Sequence, residues 1–144
     1  MTLFIYPSAI SNASYAMTWK QLEALRGTGL FDIQSHTYWH PNFKTEQRRL
    51  SPTAYRTFVS MQFNKPRTVL KDKLGVKADL LAWPFGIYDD ELIGMASDAG
   101  CIAAFTLDRR LVTTRERIMA LPRFLVTDRA TGRAFTSMLP QEHR

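Results

Sequence analysis

The chain has 144 residues, 45% of them hydrophobic and 12% aromatic, enough apolar material for one globular domain with a real core, and this excludes a disordered chain. Nineteen Lys and Arg against thirteen Asp and Glu leave a formal charge of +6. That balance favours anionic surfaces such as cell-wall polymers, but no nucleic-acid motif accompanies it and the basic residues are dispersed, so they read as a solvated basic surface.

The single cysteine excludes an internal disulfide, and no apolar stretch approaches the roughly 20 residues that span a bilayer. Thr2-Leu3-Phe4-Ile5-Tyr6 is a β-branched and aromatic run stopped by Pro7, which predicts a strand buried on both faces. It is too short for the apolar region of a signal peptide. A chain that opens on a core strand reads as part of something longer. After a small-residue loop from Ser8 to Ala16, Thr18 caps a helix that carries Trp19, Leu22 and Leu25 and ends at Gly27-Thr28-Gly29. Phe31 to Gln34 is the second strand, and the strand, helix, strand order argues for parallel βα units.

Asn42 to Leu50 is polar and reads as irregular. Ser51-Pro52 opens a helix carrying Tyr55, Phe58, Val59 and Gln62, with a break near Pro66 before Val69, Leu70 and Leu74 lead to Gly75. Leu80-Leu81-Ala82-Trp83 is the third strand. Asp89-Asp90-Glu91 then starts a helix with Leu92, Ile93, Met95 and Ala96. Those carboxylates are either metal ligands or solvated charges at a helix N-terminus, and the second reading is preferred because it is stabilising by itself. Cys101 to Thr106 is the fourth strand, with Cys101 a buried structural thiol. A charged loop over 108–117 precedes a fifth strand from Ile118 to Val126, and Phe135 and Met138 mark a short terminal helix. His143 lies at the fraying end and is discounted as a ligand.

The candidate site lies at His36-Thr37-Tyr38-Trp39-His40, directly after the second strand. Two imidazoles four residues apart converge on one cation if the backbone between them makes about one turn, and neutral imidazole is the commonest side-chain metal ligand. Pro41 forbids a helix there, so the pair belongs on a tight turn at a strand's end. The spacing alone also fits two unrelated loop histidines.

Three segments carry a resemblance: Ser35-His36-Thr37-Tyr38-Trp39-His40-Pro41, then Leu81-Ala82-Trp83-Pro84-Phe85-Gly86, then Ala99-Gly100-Cys101-Ile102-Ala103-Ala104-Phe105-Thr106. In order and spacing they resemble the successive motifs of the polysaccharide deacetylase (NodB-homology) family. The Ala-Trp-Pro-Phe-Gly form looks most like the branch that de-N-acetylates poly-β-1,6-N-acetylglucosamine. The resemblance runs from about Thr2 to about Val126. It implies an α/β fold, namely an incomplete, distorted (β/α) barrel lacking its first strand, with 1–144 as a single partial domain. It also implies a divalent metal, usually zinc, held by one aspartate and two histidines, of which His36 and His40 match the histidines and Thr37 the intervening hydroxyl. The Phe85 backbone N–H is then the oxyanion donor, which phenylalanine in place of tyrosine leaves intact. Trp83, Trp39 and Tyr38 either face sugar rings or are buried aromatics. The implied substrate is an N-acetylated amino-sugar polysaccharide, and the implied location is outside the cytoplasm.

The departures bear on activity. The family's first motif, a Thr-Phe-Asp-Asp run supplying the base and the third metal ligand, lies upstream of the strand that Thr2 to Tyr6 resembles and has no counterpart here. The arginine that many relatives place two residues before the motif proline is Ala82. The late Leu-x-His motif reads Leu121-Pro122-Arg123, and Arg123 can bind an anion but cannot give up a proton near neutral pH. Compromised hydrolysis of N-acetyl groups is therefore expected, against the alternatives of a non-catalytic carbohydrate-binding or scaffold remnant and of an unrelated basic interaction protein. An open barrel edge beside Leu3-Phe4-Ile5 would invite a second copy of the chain.

Overall fold

The computed structural model describes residues 1–126 and 131–138, so His143 lies outside the described residues. Four strands, β1 (Thr2–Ile5), β2 (Asp32–Ser35), β3 (Leu80–Ala82) and β4 (Ala103–Phe105), form one parallel sheet in the order β1-β2-β3-β4. Sequential order with every pair parallel is the arrangement that helical crossovers produce. The first crossover is α1 (Trp19–Gly27), where Thr18 and Gln21 form a reciprocal capping box. The second is α2 (Phe43–Arg49) followed by α3 (Pro52–Leu74), and the third is α4 (Asp90–Asp98). A short α5 (Arg133–Thr136) lies in the tail, where a helix was expected.

Four expectations are corrected. The polar stretch after Pro41 is helical, because the Asn42 side chain accepts from the Thr45 N–H and Phe43 buries completely beneath it. Pro66 does not break α3: the helix runs through it, with Ser51 capping the start and Gly75, at φ 63°, the end. The expected fifth strand is a 3₁₀ turn at Ile118–Ala120 and one parallel bridge from Leu121 to Phe105. There the Leu121 N–H donates to Ala104 O and the Thr106 N–H to Leu121 O, and Pro122, which has no N–H, cannot extend the ladder. Strand β1 is also less buried than its sequence suggests. It is the edge of the sheet among the described residues, and none of its four residues is fully buried.

Two apolar clusters hold the sheet to its helices. Tyr55, Val59 and Phe63 of α3 and Leu92 and Ala96 of α4 pack with Leu81, Trp83 and Ala104. Leu22 of α1 and Leu70 and Leu74 of α3 pack with Ile10 and Ile33. Helix α3 therefore serves both clusters. Leu81, fully buried on a central strand, should be among the costliest truncations: Leu81→Ala is expected to lower unfolding free energy in urea by about 2–5 kcal/mol. The same change at exposed Leu30 should stay within about 0.5 kcal/mol.

Candidate active site

Parallel pairing brings the ends of β1, β2 and β3 together, and the histidine segment grows out of that edge. The His36 N–H donates to Ile5 O at 2.8 Å, continuing the ladder to β1. On the other side His36 Nδ1 lies 2.7 Å from Ala82 O at the end of β3. A carbonyl only accepts, so Nδ1 carries the proton and Nε2 keeps its lone pair. The residue that replaces the family arginine thus contributes through its main chain.

The turn to His40 is built from Thr37. Its buried hydroxyl donates to His36 O at 2.5 Å and accepts from the His40 N–H at 3.2 Å. Thr37 and His40 both take positive φ, 65° and 63°, so Pro41 is accommodated by a left-handed His40 rather than by an extended one. This turn places the two imidazoles edge to face, with ring centroids 4.5 Å apart. From α3 the fully buried Gln62 reaches under the loop, where its Oε1 accepts from the Tyr38 N–H at 3.2 Å and the Trp39 N–H at 3.1 Å.

After β3 the chain turns through Pro84–Gly86, and Phe85 takes φ 56°. Its ring stands 4.5 Å from that of His40, so the Trp-Pro-Phe-Gly segment and the histidines share one end of the sheet. Gly86 and Ile87 donate to Trp83 O and Pro84 O, while the Phe85 N–H has no hydrogen-bond partner among the described residues.

Both imidazoles are biased toward the neutral state. Burial pushes His36 down from the ordinary 6.5 to about 4, with the nearby His40 and Arg123 charges acting in the same direction against the bond to Ala82. His40 is lowered as well, chiefly by burial. Arg123 is held by a 2.9 Å bond from Nε to Thr106 O and lies over the Phe4 ring. Thr106 directly follows β4, so this bond puts the Leu-Pro-Arg segment at the same end of the sheet.

The aromatic residues separate. Trp39 is 46% exposed and packs its ring on Phe58. Tyr38 is half-buried, with Lys65 Nζ 4.1 Å above its ring. Trp83 is fully buried: its indole N–H donates to Met119 O at 2.9 Å, and Phe63 and Tyr88 pack against its ring. Of the two readings open for Trp83, a face for a sugar or a buried aromatic, the second is the one observed. The three clustered carboxylates lie elsewhere, since Asp89 caps α4, Asp90 pairs with Arg117 and Glu91 with Arg56. Among the described residues no three His, Cys, Asp or Glu side chains gather so as to hold a metal ion. The free Nε2 of His36 and the neighbouring His40 ring are of the chemical type that could take part in holding a metal.

A sequence profile of the family described as polysaccharide deacetylase matches residues 1–104. The chain belongs to the polysaccharide deacetylase family. It is 26% identical over 112 residues to the poly-beta-1,6-N-acetyl-D-glucosamine N-deacetylase of Staphylococcus aureus strain MRSA252, covering 77% of this chain and 38% of that protein. In fold it is similar to the Streptococcus pyogenes deacetylase PplD in complex with acetate, with a TM-score of 0.80 at 20% identity over 96% of this chain and 58% of that one. IcaB from Ammonifex degensii superposes with a TM-score of 0.72 at 20% identity, over 90% and 57% of the two chains. This family member thus spans well under half the length of the curated relative it matches, and the α/β fold with its parallel sheet is part of a deacetylase barrel.

Two neighbours of the site escaped sequence reading. Gln62 sat in a helix as one more position of a buried face, and only its polarity hinted at a partner. Tyr6 reads as the end of a strand, yet its ring lies 5.5 Å from His40 and 6.4 Å from His36.

Two outcomes follow from this geometry. Gln62→Leu strands two loop N–H groups and should cost about 1–3 kcal/mol in chemical denaturation. For His36 the folded state disfavours the proton, so between pH 6.5 and about 4 the unfolded chain binds more protons than the folded one. Stability should accordingly be complete above pH 6.5 and fall as pH drops toward 4, with the His36 ring signals titrating near the lower value by NMR.

Proposed function

We propose that this chain carries part of the acetamide-hydrolysing site of an amino-sugar polysaccharide deacetylase acting outside the cytoplasm, with 1–144 as a partial domain. The observation that carries the reading is the His36–His40 pair, with Nδ1 of His36 engaged by Ala82 and the unpaired Phe85 N–H beside it. Zinc suits a pair of neutral imidazoles. When bound at His36 and His40 such an ion supplies polarisation of an acetamide carbonyl and a more acidic water.

The chain's own residues do the rest. Ala82 O orients His36 and fixes its tautomer, and burial keeps both rings unprotonated at neutral pH. The Phe85 N–H donates to the acetamide oxygen as charge develops on it, a task for a main-chain donor that has no other partner. Arg123 offers a fixed cation for the carboxylate product. Trp39 and Tyr38 provide flat apolar surfaces at the rim for sugar rings. Among the described residues no third His, Cys, Asp or Glu joins the two histidines in a group that could hold a metal ion. The alternative to hydrolysis is a carbohydrate-binding remnant of the same fold. The outer edge of β1 suits pairing with a second copy.

Acetate release from β-1,6-linked and chitin-type oligomers, with added zinc, cobalt or nickel, tests the reading. This chain should turn over about 10²–10⁴-fold more slowly than a form extended upstream to include an aspartate pair. Zinc uptake by this chain should disappear in His36→Ala and His40→Ala. Comparable turnover by the two forms would mean that the base lies within these residues, and oligomer binding without metal uptake would favour the remnant.

A further inference from the structure

Tyr6 follows β1 as His36 follows β2, and its ring packs on His40. A tyrosine hydroxyl usually finds a hydrogen-bond partner where its ring is packed. Here the hydroxyl meets another phenol, Tyr15 Oη, at 3.2 Å. Two phenols bring two donors and four lone pairs, and one bond between them uses one of each. The pair therefore retains a donor and three acceptor sites beside the histidines.

Tyr15 is 77% exposed although its loop is tied down. The Ser8 N–H donates to Tyr38 O in the histidine segment, the Ser11 N–H donates to Met17 O, and Ser11 Oγ accepts from the Trp19 N–H. An aromatic ring that the fold holds in place yet leaves in water is a surface for an apolar ring face. Both tyrosines also line an apolar cavity of about 230 Å³, together with Phe4, Ala9 and Met17. The combination suits a neutral, hydroxyl-rich ligand with one apolar face: it offers hydrogen-bonding capacity, a flat ring and an apolar recess, and it lacks a charged group.

Resting on the deacetylase reading above, we propose that Tyr6 and Tyr15 form a sugar subsite beside the histidine pair. In it the Tyr6 hydroxyl, held by Tyr15, binds a hydroxyl of the N-acetylated amino sugar, and the exposed Tyr15 ring backs a neighbouring sugar of the polymer. Tyr6 is thus a substrate-positioning residue, and its hydroxyl rather than its ring carries the role.

The test is titration of the full chain with a soluble β-1,6-linked N-acetylglucosamine oligomer, followed by NMR and calorimetry, for the wild type, Tyr6→Phe, Tyr15→Phe and Tyr15→Ala. Tyr6→Phe keeps the ring against His40 and should weaken binding about 2- to 12-fold, as expected for one lost hydrogen bond, with thermal stability unchanged. Tyr15→Phe should weaken it less, and adding it to Tyr6→Phe should have little further effect. Tyr15→Ala should exceed Tyr15→Phe because it removes the platform. In any form that turns over, Tyr6→Phe should raise KM with kcat nearly constant. Wild-type binding matched within twofold by Tyr6→Phe and Tyr15→Ala would overturn the subsite and leave the deacetylase reading standing. An oligomer that neither moves the wild-type spectrum nor releases acetate would overturn both.

Discussion

The side chain of Gln62 fixes the site to the fold. A fully buried amide is costly unless satisfied, and its oxygen is satisfied by two consecutive N–H groups of a loop that has no ladder to join. Each side solves the other's problem. Helix α3 gains a partner for a buried carbonyl, and the segment between His36 and His40 is pinned at its midpoint to an element anchored in both apolar clusters. A loop held only at its ends would let the rings drift. One held at Tyr38 and Trp39 keeps the imidazoles at their 4.5 Å separation.

Strain is concentrated at the same place. Of the four described residues other than glycine that take positive φ, three are Thr37, His40 and Phe85, and of these only His40 is of a type enriched in that region. Each costs on the order of 1–3 kcal/mol. The two bonds of the Thr37 hydroxyl and the grip of Gln62 offset part of that cost locally. What the strain provides is direction: left-handed His40 turns its ring back toward His36, and left-handed Phe85 leaves its N–H outside the hydrogen bonding on either side of it.

Most of the fold was legible because it rests on short-range signals. Thr18 caps the helix it was expected to cap, helices start at Ser51-Pro52 and at the Asp89 run as expected, and each of the four strands overlaps its apolar run, with β2 shifted one residue to end at Ser35. The misses came from longer-range competition. Phe43 looked like an isolated apolar residue in a polar stretch because its burial depends on Phe58 and Phe63, well ahead in the chain. Ile118 to Val126 has strand composition, but a single bridge to Phe105 is all that Pro122 permits. At the site, the proximity of His36, His40 and Phe85 followed from motif order along parallel strands, whereas Trp83 carried no sign of which side of the sheet would take its ring. Gln62 and Tyr6 were illegible because their roles are defined only by what the fold brings beside them.

Charge sets the last constraint on what the site can accept. Two neutral imidazoles contribute lone pairs but no charge, and the permanent charge that acts on His36 is the cation of Arg123. A divalent ion placed there would meet repulsion from the guanidinium, which partial burial leaves less screened than an exposed charge. The carboxylates of α4 cannot relieve it, because each is engaged at its own helix start or by a surface arginine. An anion brought to the site would relieve that repulsion. An anion that satisfies Arg123 would also lower the repulsion on a cation placed at the histidines, so each would strengthen the other's binding.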